Sequence, residues 1–267
     1  MLTDSRIESW LREDIGHHDV TNHVPGETTG RLVAKETGVA AGIDAANAVF
    51  EYLGVDTERA VHTGERVESG DTLLRVDGSA TDILRGERVA VNVAGHASGV
   101  ATKTRAAVDA ARTESDDVRI AGTRKTTPGL RGIEKRAIAA GGGDTHRLNL
   151  SQMVMVKDNH VAEMGLEAAI TQFRERASFA TKVEAEVERP EDGPRAAEAG
   201  ADIVLFDNLS PDALTRGVDL LPAGVLAEAS GTITVADVPA YAATGVDIIS
   251  MGSLTHSAST LDLSFRT

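Results

Sequence analysis

Residues 182–208, KVEAEVERPEDGPRAAEAGADIVLFDN, contain two apolar runs separated by a helical pattern. The runs 182–187 and 202–206 have the length of buried β-strands, and 190–199 has the pattern of an α-helix. Gly200 lies between the helix and the second run, where helices commonly end. Because both connections are short, the segment predicts two parallel strands joined by a right-handed crossover.

The same alternation extends over the second half of the chain. Further strands are expected at 118–122, 153–156, 225–229 and 247–251, and further helices at 129–140, 163–178, 210–216 and 234–243. Helix starts are indicated by a proline in the first turn or by a capping hydroxyl, at Pro190, Pro211, Ser210 and Thr234. The six strands predict an open, incomplete parallel α/β barrel. An open doubly wound sheet would give a similar alternation and stays as the alternative.

The first hundred residues have a different pattern. Short strands with glycine-containing turns are expected within 31–42 and 61–76, and helices at 5–13 and 44–53. One long helix, or two helices with a break at a glycine, is expected over 81–112. These residues therefore predict a separate α/β domain, whose boundary lies inside or just after the long helix.

Composition excludes several classes of function. The chain has 267 residues, a formal net charge of −14 and no cysteine, which excludes disulfides, thiolate catalysis and cysteine-bound zinc. The acidic balance argues against nucleic acid or an anionic membrane as a partner, and no apolar stretch is long enough for a transmembrane helix. The first residues lack the apolar core of a signal peptide, so a cytoplasmic protein is expected. The acidic excess, with 21 arginines against only six lysines, also favours a halophilic protein that works at high salt.

Chemically reactive or charged side chains follow the end of each predicted strand. They are Thr123-Arg124-Lys125, Lys157-Asp158-Asn159-His160, Glu186, Asp207-Asn208, Ser230-Gly231-Thr232 and Met251-Gly252-Ser253. In a parallel barrel the carboxyl ends of the strands converge on one face, where active sites form. These residues therefore predict one shared site at that face.

The predicted site is basic in an otherwise acidic protein. Residues 124–158 hold seven basic and three acidic residues, a net charge of +4, so the rest of the chain carries −18. Arg124 and Lys125 at a strand end suit a planar carboxylate, which arginine binds through two parallel hydrogen bonds. Lys157 can bind an anion or deliver a proton, whereas a structural role is expected for His160. This concentration of cations predicts an anionic ligand.

Two carboxylates and two glycine turns complete the predicted site. Glu186 and Asp207 end consecutive strands, where they could hold Mg²⁺ or bind ribose hydroxyls. Glu184 has the same strand parity as Glu186, which leaves open either an inward-facing pair or a salt bridge from Glu184 to Lys182. Phosphate is expected to bind at the turns after the last two strands, Ser230-Gly231-Thr232 and Met251-Gly252-Ser253.

Three motifs occur in a specific order along the chain: TRKTTPG at 123–129, GGG at 141–143 with His146-Arg147 after it, and KDNH at 157–160. In these motifs, and over nearly its whole length, the chain resembles the quinolinate phosphoribosyltransferases. The resemblance implies an N-terminal α/β sandwich domain over 1–103 and an open α/β barrel over 104–257. The tail, 258–267, is expected to pack back on the first domain.

The resemblance also implies a reaction. Members of this family of pentosyltransferases join quinolinate to phosphoribosyl pyrophosphate (PRPP) in the presence of Mg²⁺, giving nicotinate mononucleotide, CO₂ and pyrophosphate in NAD biosynthesis. The residues implied to bind the substrates are Arg88, Thr123, Arg124, Lys125, His146, Arg147, Lys157, Glu186 and Asp207. Those implied to take part in catalysis are Lys125, Lys157, Glu186 and Asp207, of which Glu186 and Asp207 are also the metal candidates. Arg88 would serve the neighbouring subunit's site, which implies a homodimer or a higher even oligomer.

The chain departs from the family's pattern at two positions. Gly122 stands where an aspartate usually precedes TRK, which puts the support of Arg124 in doubt. Thr232 stands where a second glycine is common, which puts one phosphate contact in doubt. Three alternatives stay open: a molybdenum-transport-associated relative, a nicotinate phosphoribosyltransferase without decarboxylation, and a non-catalytic binding protein on the same scaffold. The KDNH motif argues against the first, and the intact charged residues argue against the last.

Overall fold

The computed structural model describes residues 2–267, which form two compact units. The first unit comprises the residues up to Arg105, Pro128–Gly142 and Ser257–Thr267, and the second comprises Ala106–Thr127 and Gly143–His256. No helix in this part of the chain is long and apolar enough to span a membrane.

The described residues form ten helices and twelve strands. The helices are α1 (Asp4–Ile15), α2 (Ile43–Tyr52), α3 (Ala80–Ala111), α4 (Arg131–Ala140), α5 (Asp158–Met164), α6 (Leu166–Arg176), α7 (Asp192–Glu198), α8 (Pro211–Leu220), α9 (Val238–Ala242) and α10 (Ser253–His256). The strands are β1 (Glu27–Ala34), β2 (Gly38–Val39), β3 (Asp56–Arg59), β4 (Arg66–Val67), β5 (Thr72–Ser79), β6 (Arg119–Ala121), β7 (Val154–Val156), β8 (Val183–Val187), β9 (Ile203–Asp207), β10 (Leu226–Ser230), β11 (Ile248–Ser250) and β12 (Leu263–Arg266).

The first unit is built on a four-stranded antiparallel sheet of order β12-β1-β5-β3. The last strand, β12, pairs with β1 so that Phe265 lies opposite Leu32. The ring of Phe265 stacks on Phe50 of α2, with centroids 5.6 Å apart. Gly30 leaves space for that ring, because a Cβ there would lie 2.4 Å from it. The C-terminal residues therefore complete the sheet of the first unit.

Helix α3 is unbroken, although it contains Gly95 and Gly99. A Cβ on Gly99 would lie 2.0 Å from the carbonyl oxygen of Ser259, and one on Gly95 would lie 2.9 Å from Thr260. The two glycines therefore permit close packing of the returning C-terminal chain, and one long helix is the correct alternative of the two.

Residues 128–142 belong to the first unit, whereas 104–257 are expected to form the barrel domain. Helix α4 in this segment buries Ile133 and Ile138 in a core that also contains Val39. Helical periodicity predicts that α4 has an apolar face but does not predict which part of the chain covers it.

The second unit contains a parallel six-stranded sheet of order β6-β11-β10-β9-β8-β7. Strands β7 to β11 lie side by side in the sheet in the same order as along the chain. Strand β6 comes first in the sequence but pairs with the last strand, β11. This is the order of a barrel, opened between β6 and β7 where no strands pair. A doubly wound sheet would reverse its chain order part-way across, so the alternative is excluded. The open α/β barrel predicted from the sequence is confirmed.

Several helix boundaries differ from the sequence prediction. The helix expected over 163–178 corresponds to α6, which Gly165, with a left-handed φ of 79°, separates from the unpredicted helix α5. Thr234 does not cap a helix, since its hydroxyl hydrogen-bonds the carboxylate of Asp237 and α9 begins at Val238. Helix α7 begins two residues after Pro190. The predicted cap of α8 is confirmed, because the hydroxyl of Ser210 accepts from the amide of Ala213.

Candidate active site

The inward faces of the barrel strands bring charged residues from distant parts of the sequence together. Glu186, Leu205 and Glu228 lie opposite one another on β8, β9 and β10. Asp207 and Ser230 form the next inward pair, two residues farther along β9 and β10. Because side chains alternate between the two faces of a strand, all five lie on the same face.

A cavity of about 360 Å³ opens at the carboxyl ends of these strands. Its lining contains most of the residues predicted from the sequence: Thr123, Arg124, Lys125, His146, Arg147, Lys157, Glu186, Asp207, Ser230, Gly231 and Gly252. Four further residues line it that were not predicted: Met155, Leu205, Glu228 and Ser250. The structure therefore brings these residues from the strand ends together around one cavity.

The segment after β6 forms a tight loop that presents two cations. The amide of Lys125 donates to the hydroxyl of Thr123 at 3.0 Å, and the hydroxyl of Thr255 donates to the carbonyl of Lys125 at 2.7 Å. Gly252 lies directly against the Lys125 side chain, because a Cβ on Gly252 would lie 2.8 Å from Lys125 Cδ. Arg124 Nε is buried without a hydrogen-bond partner in the described chain. This loop therefore holds a guanidinium with an unused donor.

His146 and Arg147 reach the cavity along the open edge of the barrel. Asp144 forms a parallel bridge with Ala121 of β6, on the side of β6 that no strand occupies. The Asp144 carboxylate accepts from the amide of His146 at 2.6 Å and so supports its left-handed φ of 51°. The amide of Gly122 donates to the carbonyl of Asp144 at 3.0 Å. Gly122 thus helps to position the loop through its backbone.

Arg147 is the most deeply buried cation of the cavity wall. It is only 8% exposed, its Nη2 lies 3.0 Å from the sulfur of Met155, and its Nε has no partner in the described chain. Burial lowers the pKa of Arg147, and the nearby charge of Arg124 lowers it further. Arginine nevertheless stays charged at neutral pH. Two neighbouring guanidiniums with unpaired donors form a strong site for an anion.

Lys157 lies at the junction of β7 and α5 and lines the same cavity. Its amide donates to Nδ1 of His160 at 3.0 Å, and the His160 ring packs edge-on against Phe173. This contact fits the structural role predicted for His160. The ammonium group of Lys157 pairs with the carboxylate of Glu186. Lys157 is therefore held in the cavity by a partner that also lines it.

The two glycine turns differ from the sequence prediction in their details. Gly231 has a φ of 129°, and a Cβ there would lie 2.4 Å from the side-chain oxygen of Asn208. That oxygen already accepts from the amide of Thr232, which is exposed outside the cavity lining. Met251 is fully buried in the core and its amide donates to Ala121. Ser253 also lies outside the lining. Thr232, Met251 and Ser253 were expected at a phosphate site, but none of the three lines the cavity.

Glu184 faces the barrel interior and is completely buried. Lys182 pairs instead with Asp202 at 3.6 Å, so of the two alternatives for Glu184 the inward-facing one is correct. Nε2 of His146 lies 3.1 Å from a carboxylate oxygen of Glu228 and 3.5 Å from one of Glu184. Burial, and then the negative charge of Glu228, raise the pKa of Glu184 well above the ordinary glutamate value.

Glu184→Gln is expected to stabilise the protein increasingly as pH rises. Because the pKa of Glu184 is raised in the folded state, the folded protein holds a proton that the unfolded chain releases above the ordinary glutamate pKa. Folding stability therefore falls as pH rises from that value towards the raised folded value, and glutamine removes this loss. Melting temperatures at acidic and at mildly alkaline pH should show a gain of a few degrees only at the higher pH. An equal gain at both would contradict the assignment.

Glu228 is the most informative residue that the sequence analysis did not predict. It lies in the apolar run VLAEA, two residues before Ser230, and is fully buried. Because Glu228 is two residues before Ser230, strand alternation places it on the same inward face of the predicted strand. A charged residue at such a buried position indicates a functional role. The same parity rule applies to Glu184 and Glu186 on β8.

Arg88 is the one predicted substrate-binding residue that does not line the cavity. It lies on α3 in the first unit, its side chain is 60% exposed, and it lies 3.7 Å from Glu87. This placement leaves its guanidinium accessible to solvent.

Comparison with known proteins connects this geometry to a family. The family model described as quinolinate phosphoribosyl transferase, C-terminal domain, matches residues 100–266, and the model of the N-terminal domain matches 18–98. The chain is 42% identical to a probable nicotinate-nucleotide pyrophosphorylase [carboxylating] of Methanothermobacter thermautotrophicus, over 97% of each chain. It is 41% identical to the nicotinate-nucleotide pyrophosphorylase [carboxylating] of Homo sapiens, over 97% of this chain and 90% of the human one. The structure is similar to that of the nicotinate-nucleotide pyrophosphorylase from Francisella tularensis, with a TM-score of 0.92, 30% identity, and coverage of 100% and 97% of the two chains.

Proposed function

The chain belongs to the quinolinate phosphoribosyltransferase family, and from this premise we propose that it converts quinolinate and PRPP to nicotinate mononucleotide, CO₂ and pyrophosphate. This reaction is a step of NAD biosynthesis. The observation that carries the proposal is the pair of guanidinium groups in one cavity wall, Arg124 and Arg147, each with a buried Nε that lacks a partner in the described chain. Quinolinate carries two carboxylates, which supply the missing acceptors.

We assign the cationic wall to quinolinate. Arg124 and Arg147 bind its carboxylates through their guanidinium groups, and Lys125 and His146 add charge beside them. The site is selective because a ligand with one carboxylate would leave part of this buried charge without a partner. That argument favours quinolinate over nicotinate.

We assign the other residues of the lining to PRPP. Lys157 contacts the phosphoribosyl group, while Glu186 and Asp207 face its ribose hydroxyls or its metal ion. The backbone of Gly231 and Gly252 can approach a phosphate closely because neither residue has a side chain. The two substrates are thereby held side by side, which is the main requirement for a transfer between them.

The proposed chemistry has two steps. The ring nitrogen of quinolinate bonds to C1 of the ribose as the bond from C1 to pyrophosphate breaks, which leaves a pyridinium. The bond between C2 and its carboxylate then breaks, CO₂ leaves, and C2 keeps the electron pair, which the cationic ring stabilises until a proton is taken up. The cations of the cavity stabilise the departing pyrophosphate and orient both substrates.

Mg²⁺ fits the residues of this cavity. One carboxylate oxygen of Glu186 accepts from Lys157, and one of Asp207 accepts from the side-chain amide Nδ2 of Asn208, so each carboxylate keeps a second oxygen. One or two carboxylates together with substrate phosphates are the usual ligands of Mg²⁺ in proteins. When bound, the ion would neutralise charge on the pyrophosphate. We therefore propose Glu186 and Asp207 as its ligands, directly or through water.

The test of the proposed function is a direct assay. The purified protein is incubated with quinolinate, PRPP and Mg²⁺, and CO₂ release and nicotinate mononucleotide are followed together. Equal amounts of both products are expected, and chelation of the metal should stop the reaction. Absence of product at both low and multimolar salt would reject the enzyme assignment. Product from nicotinate but not from quinolinate would instead indicate the non-decarboxylating reaction.

We also propose an even oligomer in which Arg88 serves the site of the neighbouring subunit. The exposure of its guanidinium supports this role. The prediction is that Arg88→Ala and Lys157→Ala each abolish most activity alone, and that mixed oligomers of the two recover part of it. Recovery is expected because some sites would combine an intact Arg88 with an intact Lys157. Mixed oligomers that form but stay inactive would contradict the shared site.

Adaptation to high salt and a cytoplasmic location complete the proposal. The formal charge of −14 and the preference for arginine over lysine support the first. Activity measured from low to multimolar salt should rise with salt, in contrast to an ordinary electrostatic site. Cell fractionation would test the location.

A further inference from the structure

A group of three ionisable side chains lies inside the barrel beside the cavity. One ring nitrogen of His146 and one carboxylate oxygen from each of Glu184 and Glu228 all lie within 4.8 Å of one another. Both carboxyl groups are fully buried, and three of their four oxygens have no hydrogen-bond partner in the described chain. Burying such groups costs stability. A cost of this kind at the edge of a site points to a functional role.

The one hydrogen bond in this group joins His146 to Glu228. Nε2 of His146 lies 3.1 Å from Oε2 of Glu228, whereas Oε2 of Glu184 lies 3.5 Å away and forms only an electrostatic contact. A carboxylate oxygen accepts hydrogen bonds, so Nε2 is the donor. The side chain of His146 makes no other hydrogen bond within the described residues, which leaves Nδ1 for a ligand in the cavity that His146 lines.

Strand geometry fixes both carboxyl groups. Glu184 and Glu228 are inward-facing residues of β8 and β10, and β9 lies between these strands. The His146 side chain is only 10% exposed, and its backbone is held by Asp144. Asp144 therefore holds the backbone of His146, and Glu228 holds its ring through Nε2.

We propose that Glu228, supported by Glu184, is a positioning residue that fixes the ring of His146 so that Nδ1 meets a carboxylate of quinolinate. In the bound state Nε2–H donates to Glu228 and Nδ1–H donates to the substrate, so the ring is an imidazolium between two carboxylates. A second hydrogen bond on the far nitrogen is a common way to orient a functional histidine. This inference rests on the proposed function, since it assigns quinolinate as the ligand of His146.

The charges around the pair favour this role over a metal site. The charges of Glu184 and Glu228 act on the buried guanidinium of Arg147, and the charges of Lys157 and Glu186 act on Glu184. Glu184 and Glu228 are therefore already surrounded by two cations, Arg147 and Lys157, and by His146. These cations already compensate the charge of the buried carboxyl groups, so the pair does not need a metal ion for that purpose.

The first experiment detects the hydrogen bond in the protein without substrate. A ¹H–¹⁵N spectrum of histidine-labelled protein should contain a slowly exchanging Nε2–H signal, assigned to His146 by its loss in His146→Gln. The signal should persist in Glu228→Gln, whose amide oxygen can still accept, and vanish in Glu228→Leu. A signal that is unchanged in Glu228→Leu would overturn the proposal. One equivalent of bound metal that depends on Glu228 would overturn it as well.

The second experiment measures substrate binding by kinetics. Glu228→Leu should raise KM for quinolinate about tenfold to a hundredfold, while KM for PRPP stays near its wild-type value. Glu228→Gln should recover most of the loss. The matched control is Glu198→Leu, because Glu198 is an exposed glutamate of the same unit outside the cavity lining. An equal rise of both KM values would indicate general structural damage and overturn the proposal.

A double-mutant cycle tests whether Glu228 acts through His146. In a His146→Gln background, Glu228→Leu should add almost nothing to the rise in KM for quinolinate. Additive effects would contradict a role through His146. If Glu228→Leu does not fold, Glu228→Ala replaces it, with melting temperature as the check. A wild-type protein that makes no nicotinate mononucleotide would reject the proposed function, whereas the Nε2–H signal would still decide whether Glu228 holds His146.

Discussion

Arg147→Met is expected to lower kcat/KM for quinolinate on the order of a thousandfold, which corresponds to ~4 kcal/mol. Methionine fills most of the volume of arginine but removes the guanidinium. The effect is large because Arg147 is buried and its Nε lacks a partner in the described chain, so a bound carboxylate provides the missing acceptor. KM for PRPP should change little, since the assigned PRPP ligands lie elsewhere in the lining. Steady-state rates with each substrate varied in turn provide the measurement.

The matched control for Arg147→Met is Arg216→Met. Arg216 lies on α8 and is exposed, with one hydrogen bond to the backbone of Asp212. Its replacement should leave both KM values and kcat near wild type, because surface substitutions of this kind have small effects. A loss below about tenfold for Arg147→Met would contradict the assignment of its guanidinium to quinolinate.

Lys157→Met is expected to lower kcat about a hundredfold to a thousandfold. The ammonium group lines the cavity and pairs with Glu186, where it can stabilise negative charge on the departing pyrophosphate. Its removal also leaves the Glu186 carboxylate without its cation, which repels the anionic substrate. Single-turnover rates at saturating substrates separate this effect on the reaction from an effect on binding.

Lys182→Met is the control for Lys157→Met. Lys182 lies just before β8, its side chain is 62% exposed, and it forms a surface ion pair with Asp202. Exposed ion pairs contribute little, so this variant should keep wild-type rates. If Lys157→Met changes only KM and leaves the single-turnover rate intact, Lys157 binds substrate without assisting the chemical step.

The strands of the barrel were predictable because their apolar runs and glycine stops are local features. The run 202–206 and the preceding Gly200 alone indicate a helix followed by a strand. The edge at which the barrel opens was not predictable in this way, since it depends on which strands pair. The same holds for α4, whose apolar face packs in the first unit through long-range contacts that no local pattern encodes.

The candidate site was predictable to the extent that its residues end strands. Lys157, Glu186 and Asp207 follow apolar runs, and the barrel geometry then brings them to one face. The contact between His146 and Glu228 joins residues 82 positions apart, and it depends on the register of β10 and on the loop beside β6. Parity indicated that Glu184 could face inward, but only the three-dimensional structure shows that it shares His146 with Glu228.

The pairing of β12 with β1 has a consequence for how the protein folds during its synthesis. The strand that completes the sheet of the first unit is translated after every residue of the second unit. Until Leu263–Arg266 has left the ribosome, one edge of β1 has unpaired backbone groups. The second unit can form its strand pairs while the first still waits for this strand. The first unit therefore cannot complete its sheet until the second unit has been synthesised, which differs from the usual case in which an amino-terminal part can fold first.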